Sequence, residues 1–144
     1  MAKLFISCPM RGLSGVEIAE IRAWMLRQAF LIWPEEDLEI MDQLLPPEEG
    51  HKRMNVHCLG RSIQILADAD YYIGISDWRI TDHFRGCRVE NEVAGNYLQR
   101  ESKDKVTCYF IDNVEPIPVF KKVLSILEEE ERKRLMPVCN QEVM

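Results

Sequence analysis

Along the chain, short apolar runs alternate with stretches in which hydrophobic residues recur every three or four positions. Lys3 to Cys8 is a short apolar run closed by Pro9, and it predicts a first strand. Ser14 and Glu17 have capping-box spacing, which predicts a helix start. Ile18, Ile21, Met25, Ala29 and Ile32 then give that helix one core-facing side, and Pro34 stops it. Leu38 to Met41 is a candidate second strand, and residues 45 to 53, with Pro46, Pro47 and Gly50, predict a loop. Val56, Leu59, Ile63 and Leu66 mark a second helix, with Asn55 as its expected cap. Asp70 to Ser76 is the clearest strand, because Tyr71, Tyr72, Ile73 and Ile75 are aromatic or β-branched. A polar loop over 77 to 86 ends at Gly86, a helix follows over about 87 to 98, and Val106 to Ile111 predicts another strand. After Pro116 and Pro118, a last helix should turn Phe120, Val123, Leu124 and Leu127 inward. Its charged end, Glu128 to Arg134, reads as a solvated face.

This alternation predicts an α/β fold, a Rossmann-like or flavodoxin-like three-layer sandwich around a parallel sheet of four to five strands. Residues 1–136 are expected to form a single domain and 137–144 a loose tail. In such sheets ligands bind beyond the carboxyl ends of the strands, which directs attention to the loops at 8–14 and 76–88.

Composition narrows the possible partners. Hydrophobic residues make up 47% of the 144, enough for a packed core. Twenty-four acidic residues against 18 basic ones give a net charge of −6, which argues against a duplex nucleic-acid surface. Five scattered cysteines without a C-x-x-C pair read as reduced thiols. No apolar run reaches membrane-span length and the start carries no secretory pattern, so a cytoplasmic protein without membrane contact is expected. His51, His57 and Cys58 lack structural-zinc spacing; neither metal nor cofactor is expected.

Two loops carry candidate chemistry. In Cys8-Pro9-Met10-Arg11-Gly12, helix amides and Arg11 suit an anion such as phosphate, while spacing alone, which is not that of a G-x-x-x-x-G-K-S/T loop, favours an ordinary turn with a solvated arginine. On a helical wheel, Val89, Val93, Ala94, Tyr97 and Leu98 form an apolar face with Glu90 near its middle, whereas Glu92 points the opposite way. A carboxylate on a buried face is either a shielded nucleophile or acceptor, helped by the helix dipole, or a structural group paired with Arg85, Arg88 or a cap. Asp70 reads as a structural cap at its strand's start. Trp78 suits either a stacking contact to a base or an apolar anchor, and His83 either a substrate contact or a solvated loop residue.

Three blocks in order resemble the nucleoside 2-deoxyribosyltransferase-like family. They are Phe5-Ile6-Ser7 with Pro9-Met10-Arg11-Gly12, then Ala67 to Ile75 with Trp78, and Arg85-Gly86-Cys87-Arg88-Val89-Glu90-Asn91-Glu92-Val93-Ala94. The resemblance spans roughly residues 3 to 111. It implies an N-glycosyl transferase or hydrolase acting on 2′-deoxynucleosides or their 5′-monophosphates, with Glu90 as nucleophile toward the anomeric carbon. It also implies a homo-oligomer whose partner is a small nucleoside or nucleotide. Substrate contacts would come from Phe5, Ser7, Pro9, Met10, Arg11, Gly12, Trp78 and Gly86. One position departs: where the family carries an aspartate eight residues before the acidic residue opening the central strand, this chain has Ser62, which cannot protonate a departing base as a carboxylic acid can. A non-catalytic nucleotide-binding or sensing domain of the same fold is the alternative.

Overall fold

The computed structural model describes residues 1–41, 49–99, 105–115 and 117–143, the last eight of these by backbone alone. Four strands, β1 (Ala2–Ile6), β2 (Leu38–Ile40), β3 (Tyr71–Ile75) and β4 (Thr107–Ile111), form one parallel sheet in the order β2-β1-β3-β4. Among the described residues five α-helices accompany them: α1 (Gly15–Ile32), α2 (Met54–Leu66), α3 (Trp78–Thr81), α4 (Arg85–Glu92) and α5 (Pro118–Val143). The sheet is flanked by helices, as the alternating pattern predicts for a Rossmann-like or flavodoxin-like three-layer fold.

The strand period of two sorts side chains between the layers. Leu4 and Ile6 of β1, Ile73 and Ile75 of β3, and Ile111 of β4 pack with Ile21, Met25 and Ala29 of α1 and with Phe120 and Val123 of α5. Phe5 and Tyr72 face the other way, with Leu66 of α2 and Ala94, which follows α4. Phe5 and Tyr72 sit opposite each other in the β1–β3 register, with their rings stacked at 5.7 Å.

Local signals explain most boundaries. Ser14 caps α1 by accepting from the Glu17 amide, and Glu17 returns a bond to the Ser14 amide. Asp70 is structural, its carboxylate accepting the Lys3 amide at 2.8 Å where β1 and β3 begin to pair. Four expectations need correction. The cap of α2 is Arg53, so Asn55 lies inside the first turn, and Val56 is exposed while Ile63 and Leu66 face the core. Within the stretch expected as loop, Asp77 accepts the Arg79 amide and starts the single turn α3. α4 begins at Arg85 and passes without a break into a π-helical stretch, Val93–Leu98. α5 runs on past Pro137 to Val143. Of the loop expected at 45 to 53, residues 45 to 48 lie outside the described residues, and 49 to 53 are non-helical.

Candidate functional site

The strand order reverses at β1: the chain leaves it toward β2 on one side and crosses back to β3 on the other. The crevice beyond the carboxyl ends of β1 and β3 is therefore the switch point where such sheets take ligands. Ser7, the first residue after β1, is fully buried there, and its amide donates to the Ile73 carbonyl. That bond carries the β1–β3 ladder one residue further and aims the Ser7 hydroxyl across the crevice.

Glu90 meets it from α4. The helix turns the Glu90 side chain inward and leaves it 7% exposed, while Glu92 is exposed on the far side, as the helical wheel predicts. Because α4 starts at Arg85, Glu90 lies in its second turn, not its first. The free amides of the helix end are then too far back to hold it, and side-chain hydroxyls do so instead. Ser7 Oγ donates to Glu90 Oε1 at 2.7 Å, and Ser62 Oγ, reaching over from α2, donates to Oε2. Both partners are hydroxyls; neither Arg85 nor Arg88 pairs with it, so the ion-pair reading does not apply. Burial pushes the Glu90 carboxyl above its ordinary range, and the Ser62 and Ser7 hydrogen bonds oppose that shift.

Around this trio sit groups that keep their protons. Burial raises the Cys8 thiol to about 12 and pushes Cys87 up as well, with Glu90 adding to the shift in both. The Tyr72 phenol is likewise raised well above its usual value, first by burial. Its hydroxyl donates to Asn91 Oδ1, and Asn91 Nδ2 donates to the Ile75 carbonyl at 2.7 Å.

The chain matches no family model, no curated protein and no solved structure. The residues themselves therefore carry the assignment.

The other candidates separate from Glu90. Arg11 and Trp78 line a groove of about 680 Å³ together with Arg85 and His83, and its far wall is the outer part of α5, including Glu128 and Glu131. Arg11 and Gly12 also border a smaller hollow of about 150 Å³ against Phe84 and Val123. Glu90 lines neither. Gly12 adopts φ +76°, a left-handed conformation that suits glycine and turns the loop into α1. Trp78 is 73% exposed, presented by α3, and Arg79 beside it is held by Asp77 at 2.7 Å and Glu115 at 3.1 Å. His83 Nδ1 lies 3.5 Å from Glu130 Oε2. Pro9 is buried, Met10 exposed, and Gly86 exposed in the first turn of α4. Phe5, like Ser7, is fully buried.

Three contributors escaped the sequence reading. Asn91 and Tyr72 differ from their neighbours by no periodic signal, because their link spans a helix and a strand. Asp77 carried a legible one, an acidic residue two positions before Arg79 at a strand end. Among the described residues no group of three metal-binding side chains converges, and no helix is long and apolar enough to cross a membrane.

Proposed function

We propose that this chain is an N-glycosyl transferase or hydrolase acting on 2′-deoxynucleosides or their 5′-monophosphates, with Glu90 as its nucleophile. One observation supports the reading above the rest: a buried carboxylate at the switch point of a parallel sheet, gripped by two hydroxyls and, among the described residues, by no cation. A neutralising arginine would quench a nucleophile; two hydroxyls orient the carboxylate and leave its charge available. In the reaction, Glu90 attacks the anomeric carbon as the bond to the base breaks. The base leaves with the electron pair and takes up a proton, and water or a second base then displaces the sugar from the Glu90 ester. In this reading Arg11 and Arg85, which line one groove with Trp78, would take a 5′-phosphate, and Trp78 would stack on a base.

The second reading, a nucleotide-binding or sensing domain without turnover, draws on the same trio. Retaining glycosyl chemistry ordinarily uses two carboxyl groups, and here the second group on Glu90 is the Ser62 hydroxyl. Incubating the protein with a panel of deoxynucleosides and their monophosphates, and resolving free base by liquid chromatography, separates the two. Release that vanishes in Glu90→Gln supports the enzyme; tight calorimetric binding with no release by wild type supports the sensor.

A further inference from the structure

Pro9 limits what β1 can offer to β3. In a parallel ladder alternate residues turn their amides toward the same neighbour, and Ser7 donates to the Ile73 carbonyl at 2.9 Å. The next donor in that series is the amide of residue 9, and its acceptor is the Ile75 carbonyl. Residue 9 is proline and has no N–H, so β1 cannot carry the ladder further. Ile75 is fully buried, and a buried carbonyl without a donor is costly. Asn91 meets that need from α4, its Nδ2 donating to the Ile75 carbonyl at 2.7 Å. The other end of the same side chain accepts the Tyr72 hydroxyl, so both of its polar atoms are held by β3. Gly74, between the two anchors, gives the room, because a Cβ there would collide with Asn91 Oδ1.

We infer that Pro9 and Asn91 are a matched pair of positioning residues for Glu90: Pro9 withholds the donor that would extend β1 along β3, and Asn91 supplies it from α4, which fixes Glu90 in the gap where the two strands part. Asn91 follows Glu90 in the chain, and successive helix residues point about 100° apart, so fixing one sets the direction of the other. Capping does not set the rotation of α4, because Phe84 at its N-terminus makes no side-chain cap and the backbone turns π-helical from Val93. An ordinary residue at position 9 would let the strand's own amide take the Ile75 carbonyl and release Asn91 from it. The consequence for rate rests on Glu90 being the proposed nucleophile; the exchange of donors does not.

A double-mutant cycle followed by urea unfolding tests the exchange of donors. Asn91→Ala should lower the urea midpoint in the wild-type background. Beside Pro9→Ala, whose new amide at residue 9 can take the Ile75 carbonyl, the drop should be about half as large or less. The cavity at residue 91 and the lost partner of Tyr72 are common to both backgrounds, so they cancel in the comparison. Equal drops in the two backgrounds overturn the inference. Placement of Glu90 is read separately, from nuclear Overhauser contacts between its γ-protons and the Ser7 β-protons. These should weaken in Asn91→Ala and stay weak in the Pro9→Ala/Asn91→Ala protein even as its stability recovers. A merely structural pair would restore both together, and contacts of wild-type strength in Asn91→Ala overturn the inference as well. Neither readout needs turnover, so a wild type that releases no base overturns the nucleophile reading and not this one. Should Asn91→Ala not fold, the wild-type protein decides. A scalar coupling across the hydrogen bond should join Asn91 Nδ2 to the Ile75 carbonyl carbon, and its absence overturns the inference.

Discussion

Glu90 carries a cost in the folded protein that depends on pH. Its folded-state pKa is raised, chiefly by burial. The carboxyl therefore favours folding most at pH below its unfolded value, and that contribution is lost as pH rises through the folded value. Glu90→Gln removes the ionisation, so its stability relative to wild type should improve from about pH 4 to about pH 7, as urea unfolding at both would show. A difference that stays constant with pH would mean the carboxyl titrates normally. Ser62→Asp changes the same group chemically. It places a second carboxyl against Glu90, and two carboxyls in contact cannot both ionise, so the pair retains a proton toward neutrality. That proton supplies the acid the site lacks, and base release should rise, by up to roughly 10²–10⁴-fold, then fall as pH passes the pair's upper apparent pKa. A folded Ser62→Asp protein with no gain at any pH would show that protonation of the base does not limit this site.

At the scale of elements, the contrast between two glycines tests how tightly the site is built. Gly74 lies beneath the Tyr72–Asn91 pair, and Gly74→Ala must push that pair aside, at a cost of roughly 1–3 kcal/mol. Gly95 has the Phe110 ring at 3.5 Å, ordinary contact distance, so Gly95→Ala should be neutral or stabilising in the same denaturant titration. The elements themselves were largely legible before the structure. The Ser14–Glu17 spacing marked the start of α1, and the aromatic and β-branched run marked β3 within a residue at each end. The inward turn of Glu90 was visible on a helical wheel, since burial of one helix face is a local property of sequence. Its partners were not: Ser7 and Ser62 lie 83 and 28 positions away, and only the folded sheet brings them to one carboxylate. α3 was missed because a four-residue turn has no period to read and depends on one cap from Asp77. The π-helical stretch after α4 was missed for a related reason, since its apolar spacing reads as an ordinary helix.

For the molecule as a whole, the sheet order places the Ser7–Glu90–Ser62 trio at the switch point, and a separate broad groove, which Glu90 does not line, offers Arg11, Arg85 and Trp78. In the proposed function these act as nucleophile and substrate cradle. Arg11→Ala should then weaken a deoxynucleoside monophosphate about tenfold or more, and the free nucleoside little, in calorimetric titration. Equal loss for both ligands would remove Arg11 as a phosphate contact. The central claim is that the sugar passes through Glu90, and peptide mass spectrometry after rapid acid quenching of a deoxynucleotide reaction tests it most directly. A deoxyribosyl ester on the peptide carrying Glu90, absent in Glu90→Gln and retained in Glu92→Gln, is the predicted result. Base released by wild type and Glu90→Gln alike, with no sugar on Glu90, would contradict it.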